Sequence, residues 1–249
     1  MRGFSLTEMA VVLAIVGLLL GGLLLPLGTQ IEQRNATDTL RHLEAAREAL
    51  IGFAIVNGRL PCPATTAAGT GDEAPVGGGA CTTNYSGFLP AKAIGFQPTD
   101  SSGYALDVWG NRIRYALAAT IDTSGTPCTA PTLPHYANST NLKANGITCK
   151  PSDLVICSVS PATVTNTTCD ANTSVANVGT VVAVIYSTGK NGATGGTGTN
   201  EARNLDGNQL FVSRTPDPTD ATGGEFDDIL VLLSPGVLYG RMIAAGVLP

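Results

Sequence analysis

The sequence predicts an α+β fold: a long N-terminal helix whose second half lies on a small antiparallel sheet of three to five strands. Three observations predict it. Residues 9–27 are nineteen in a row with no charge and no side-chain hydrogen-bonding group. Residues 30–57 then read as an amphipathic helix, and the remainder of the chain holds short β-branched and aromatic runs separated by Gly, Thr, Ser and Asn. With 249 residues, 43% of them hydrophobic, the length suits one anchor plus one domain of about 190 residues, enough for its own core.

The apolar run comes first. Nineteen residues approach the ~20 needed to cross ~30 Å of hydrocarbon at 1.5 Å per residue, so this segment is expected to sit in a bilayer. Glu8 stands at its start, where a carboxylate costs roughly 2.5–3.5 kcal/mol at the bilayer centre and less near an interface. A charge placed there wants a partner. A secretory signal peptide does not explain the run, whose core is too long and lacks an Ala-x-Ala cleavage site. A plain single-span anchor explains the apolar residues but leaves Glu8 without a role.

The order Met-Arg-Gly-Phe-Ser-Leu-Thr-Glu followed by a long apolar helix resembles the amino-terminal signature of type IV pilins and of the pseudopilins of type II secretion. The resemblance implies that residues 1–3 are a leader cut after Gly3 by a prepilin peptidase, and that Phe4 becomes the N-methylated first residue. It also implies that Glu8 is the family's intramembrane glutamate, neutralised by a neighbouring subunit's Phe4 amine. Gly17 falls where the family has a glycine, whereas the leader is short and Pro26 lies one residue later than the helix-kinking proline of pilins. The implied organisation is a leader at 1–3, a long helix at 4–57 with 4–27 transmembrane, and a globular domain at 58–249. The expected protein is a pilin-like structural subunit, single-pass in the inner membrane, with its domain in the periplasm and then in a periplasmic or extracellular filament. Retained Glu8 argues against the tip-most pseudopilin type, and the length leans towards a minor subunit.

Beyond the membrane segment, Ile31, Leu40, Leu43, Leu50 and Phe53 fall mainly on one 3.6-period stripe, with Ala36, Ala46 and Ala54 alongside. A helix over 4–57 would be roughly 80 Å long. Asn57-Gly58 is a stop, and Leu60-Pro61-Cys62-Pro63 cannot continue it. Residues 64–87 read as a Gly/Ala/Thr-rich loop. In 107–117 the Gly110-Asn111 pair signals a turn into a strand in which Ile113, Tyr115 and Leu117 alternate with Arg112, Arg114 and Ala116. Its Asp-x-Trp-Gly-Asn start is similar to a turn in the major pseudopilin, and Trp109 reads as an ordinary packing residue. Residues 118–178 form a loop-rich insertion with one short strand at 154–159. Runs at 180–186 and 228–233 read as buried strands around a long Gly-rich loop, 189–225, and 237–247 has a helical pattern.

Six cysteines in an exported domain read as a disulfide framework. Of the fifteen pairings, the expected ones join sequence neighbours: Cys62 with Cys81, Cys128 with Cys149, and Cys157 with Cys169, each closing a loop worth roughly 3 kcal/mol. Free or otherwise paired cysteines are the alternative.

A net charge of −5 without clustered Lys and Arg gives no footprint for nucleic acid. His42 and His135 lack a second ligand at metal spacing and read as surface residues; no G-x-S-x-G elbow or P-loop occurs, so no enzyme is expected. The loop 201–228 is dense in oxygen ligands suited to a hard cation such as Ca²⁺. The major pseudopilin binds calcium through a Gly-rich loop in this part of its fold, and the similarity of position and composition makes Glu201, Asn204, Asp206, Asp227 and Asp228 the candidate ligands. Strand alternation suggests that at most one of Asp227 and Asp228 contributes its side chain. The alternative is a solvated acidic connector. A second functional reading is a membrane-anchored or filament-tip binding module using 118–178; an anchored hydrolase is the third.

Overall fold

A computed structural model of the chain describes residues 5–119, 134–161, 168–195, 198–217 and 223–248, with the backbone assignment alone for 20–27 and Ala68. The helices are α1 (Leu6–Asn57), α2 (Ala91–Ile94), α3 (Ser139–Asn145), α4 (Thr199–Leu205) and α5 (Pro235–Ala244). The strands are β1 (Gly87–Phe88), β2 (Arg114–Leu117), β3 (Val155–Cys157), β4 (Ser174–Ala176), β5 (Ala183–Ser187), β6 (Leu210–Val212) and β7 (Ile229–Leu233). The chain divides into two compact units, Met1–Asp38 and Thr39–Pro249.

In the first unit, α1 opens on a capping box. The Ser5 hydroxyl accepts from the Glu8 backbone N–H at 3.3 Å, and the Glu8 carboxylate accepts from the Ser5 N–H at 2.8 Å, satisfying two otherwise unpaired donors. Glu8 therefore has a local role that the single-anchor reading did not supply. Gly3 and Phe4 lie outside the described residues. Among the described residues no helix is long and apolar enough to cross a membrane. The run 9–27, expected to do so, includes 20–27, whose side chains are not described.

In the second unit the remaining part of α1 lies on an antiparallel sheet of order β1-β2-β5-β7. Thr39, Leu43, Ala46, Leu50 and Ala54 are fully buried, a stripe at spacings of three and four. It starts at Thr39 and leaves Leu40, expected on the buried side, exposed; Ile31, also expected there, lies in the first unit and is exposed. Central β5 is buried along its whole length, and Tyr115 pairs with Ile185, itself opposite Val231. On β2, Ala116 is as buried as Tyr115 and Leu117, so both faces of that strand are covered rather than one. Trp109 sits half-exposed in the turn, not in the core.

A second sheet, order β4-β3-β6, was not anticipated. It joins the insertion to the Gly-rich loop through a parallel β3/β6 pair, and that loop also contains α4. Strand β3 falls within the short strand expected at 154–159, whereas three-residue β4 and β6 and seven-residue α4 are too short for periodicity to reveal.

Disulfides link Cys62 to Cys81 and Cys157 to Cys169, as expected for sequence neighbours. Cys149 is also disulfide-bonded, and Cys128 lies outside the described residues. The first of these loops is pinned by a buried ion pair, in which Arg59 meets both Glu73 oxygens at 2.7 Å. Glu73 also accepts from the Cys62 and Gly77 amides. Burial pushes the Glu73 carboxyl up, but these bonds outweigh it and hold it below the usual range.

His135 is buried rather than on the surface. Its Nε2 lies 3.4 Å from the Tyr239 hydroxyl, which donates to the Cys149 carbonyl at 3.0 Å, and its Nδ1 has no partner among the described residues. Burial pushes its pKa down to about 4 from 6.5. The folded state thus resists protonation that the unfolded chain accepts. The stabilisation is complete above about pH 6.5 and is lost as pH falls towards 4, a span worth roughly 3 kcal/mol. His135→Leu is expected to flatten the pH dependence of the melting temperature between those limits. An unchanged acid slope in that variant would remove His135 as its cause.

Candidate metal centre

The end of β5 builds one wall of the site. Gly189 has φ +61°, and a Cβ there would lie 2.0 Å from Asp227 Oδ1, so only glycine lets the carboxylate approach this backbone. The turn before β2 buttresses the same segment: Asn111 Nδ2 donates to the Gly189 carbonyl at 2.6 Å, and buried Asp107 accepts from the Ser187 hydroxyl. Asp227 Oδ2 in turn accepts from the Lys190 and Asn191 amides at 2.8 and 3.2 Å.

Helix α4 supplies the opposite wall. Glu201 is buried, accepts the Asp227 N–H at 3.0 Å, and takes both Asn191 Nδ2 contacts at 3.0 Å. Asn204 donates to Asp228 Oδ2 at 2.7 Å and clamps β6 by accepting from Val212 N–H and donating to its carbonyl.

Glu201, Asp227 and Asp228 each present a carboxylate oxygen within 4.8 Å of the others. Two oxygens on opposite sides of a calcium ion at 2.3–2.6 Å span roughly 4.6–5.2 Å, so the cluster has the right reach for that ion. Asp227 and Asp228 both bring a carboxylate oxygen to the cluster, where strand alternation led to the expectation of at most one. The strand starts only at Ile229, so its alternation does not govern the two residues before it.

Of the other candidates, Asn204 turns its amide nitrogen to Asp228 while its oxygen is taken by Val212. Asp206 pairs with Arg203 at 2.9 Å and is not gathered into the cluster. Asn191 is the residue that sequence reading passed over. Its one available signal was an Asn in a glycine-flanked turn directly after a buried strand.

Burial of several carboxylates together is costly unless something neutralises them. Burial, with Glu201 and Asp227 adding to it, pushes Asp228 up to about 8 against the opposing Asn204 bond and Arg114 charge. Asp227 is pushed up to about 6, chiefly by burial and by Glu201, against the Asn191 and Lys190 amides. Two oxygens at the site, Asp227 Oδ1 and Asn191 Oδ1, are buried without a hydrogen-bond partner among the described residues. Orphaned oxygens, a glycine cradle and three carboxylates fit a hard divalent cation better than they fit a dry polar core.

Compared with known proteins, the chain matches no family model, no curated protein and no solved structure.

Proposed function

We propose that this chain is a pilin-like structural subunit of a type IV pilus or a type II secretion pseudopilus. It is anchored in the inner membrane, cut after Gly3 by prepilin peptidase, and polymerised with other pilin-like subunits through α1. The observation that carries this reading is the Phe4-to-Glu8 signature at the head of an apolar helix that continues, on the same element, onto an antiparallel sheet. In the isolated chain Leu6, Leu13, Leu18 and Leu19 are all more than half exposed, an apolar surface that calls for lipid or neighbouring helices. In this reading the cation at Glu201, Asp227 and Asp228 is Ca²⁺, and it is structural: it ties the loops at both ends of the Gly-rich segment to the sheet.

The test is made in a cell that carries the peptidase and the assembly machinery. Mature wild-type chain should lack residues 1–3 by intact mass and carry one added methyl group, while Gly3→Glu should keep its leader and stay out of filaments. An intact Met1 in the mature wild-type chain overturns the proposal. Glu8→Gln separates the two roles of that residue, because glutamine still closes a capping box but has no charge to pair with an amine. Exclusion of Glu8→Gln from filaments supports register-setting by charge; normal entry assigns Glu8 to capping alone.

A further inference from the structure

Asn-x-Ser/Thr, the sequence in which a side-chain amide can receive a glycan, occurs at Asn35, Asn84, Asn138, Asn166 and Asn172. The fold separates them. Asn35 is half-buried within α1. Asn84 Nδ2 donates to the Leu117 carbonyl at 3.3 Å, and Asn138 caps α3 by accepting from the Asn141 N–H at 3.0 Å. Asn166 lies outside the described residues.

Asn172 stands on an exposed β-turn of the insertion. The Thr173 N–H closes this turn on the Asp170 carbonyl at 3.1 Å, and the Thr173 hydroxyl donates to the same oxygen at 2.8 Å. Asn172 takes the left-handed conformation, φ +63°, its side chain is exposed, and no hydrogen bond engages its amide among the described residues. Ser174, the hydroxyl of the acceptor sequence, is also exposed and donates to exposed Asn177 Oδ1 at 2.6 Å, a contact open to water. Exposed Asp170 adds a carboxylate two residues before Asn172, where the other sequences have Gln33, Thr82, Tyr136 and Val164. The turn is rooted by the Cys157–Cys169 disulfide and runs into β4, an edge strand paired with β3 alone. Opening a three-residue edge leaves the core intact, so segment 170–176 can enter an enzyme's cleft from a folded chain.

We propose that Asn172 is an acceptor for an asparagine-linked glycan, with the Ser174 hydroxyl and the Asp170 carboxylate as the groups a transferase reads on either side of it. This rests on the export in the reading above, which brings the second unit to the membrane face where lipid-linked glycans are transferred. The donor is an oligosaccharide carried on a polyprenyl diphosphate. Asn172 Nδ2 bonds to the anomeric carbon as the bond from that carbon to the phosphate oxygen breaks. The lipid diphosphate leaves with the electron pair, and the amide gives up one proton to a base of the transferase. The glycan then lies beside Val175, 52% exposed on the open edge of β4, where a bulky polar chain blocks the strand pairing that such an edge invites.

The folded full chain in detergent is incubated with a purified bacterial oligosaccharyltransferase and its polyprenyl-diphosphate oligosaccharide, and the product is read by intact mass and peptide mapping. Wild type should gain one glycan, on Asn172. Asn172→Gly, which suits the positive φ, and Ser174→Ala should lose it, while Ser174→Thr should keep it. Asp170→Asn should slow transfer by about tenfold, the loss of one charge-assisted contact. No transfer, transfer only to another asparagine, or undiminished transfer in Ser174→Ala overturns the inference. The two readings fail separately: transfer to Asn172 by a chain that cells keep uncut in the cytosol overturns the pilin reading and leaves the acceptor standing.

Discussion

Replacing Arg59 by methionine is expected to destabilise the second unit by about 3–5 kcal/mol, because it leaves the Glu73 carboxylate buried without its counter-charge. For a domain of this size the melting temperature should fall by roughly 6–20 °C. The guanidinium also stacks over the Phe53 ring at 5.2 Å, so one change detaches the 62–81 loop from the end of α1. Pairing the change with Glu73→Gln removes the stranded charge but keeps an acceptor for only one of the Cys62 and Gly77 amides, which meet different Glu73 oxygens, and should recover part of the loss. Thermal melts of the two variants decide the matter. A loss below about 1 kcal/mol for Arg59→Met would mean that the pair behaves as a solvated surface bridge.

Millimolar calcium is expected to raise the melting temperature by roughly 5–10 °C, from about 2.7 kcal/mol at a hundredfold excess over Kd. Mg²⁺ should do much less, since it dehydrates reluctantly and demands a tighter octahedron. The effect carries a pH signature. In chelator, folded Asp227 and Asp228 hold protons that the unfolded chain releases near 3.8, so their contribution is fully present below about pH 4 and is lost as pH rises through about 6 and 8. Calcium replaces those protons, so its stabilising effect should be largest near pH 8 and shrink towards pH 5 as protons compete. Asp228→Asn should abolish most of both the calcium shift and the alkaline loss. Superimposable melts in calcium and chelator at pH 8 would remove the metal centre.

The sequence by itself determined the long elements and the local links. The stripe Leu43, Ala46, Leu50 and Ala54, the apolar runs of β5 and β7, and helix α5 are legible because each repeats a 3.6- or 2-residue pattern or an unbroken apolar run over enough positions. Cys62 with Cys81 and Cys157 with Cys169 are legible because closing a short loop constrains few residues. The loop 201–228 showed its density of carboxylate and amide oxygens in composition alone.

Only the tertiary structure decided which of those side chains meet. Glu201 reaches Asp227 across 26 residues because α4, invisible to periodicity, folds back against the end of β5, while Asp206 on the same loop is captured by Arg203. Asn191 enters the site through a glycine turn that brings two backbone amides to Asp227. The same applies to the parallel β3/β6 pair and to His135, whose burial depends on Tyr239 arriving from the far end of the chain. Such contacts join segments far apart in sequence, and a pattern read within one window contains no term for the partner that closes them.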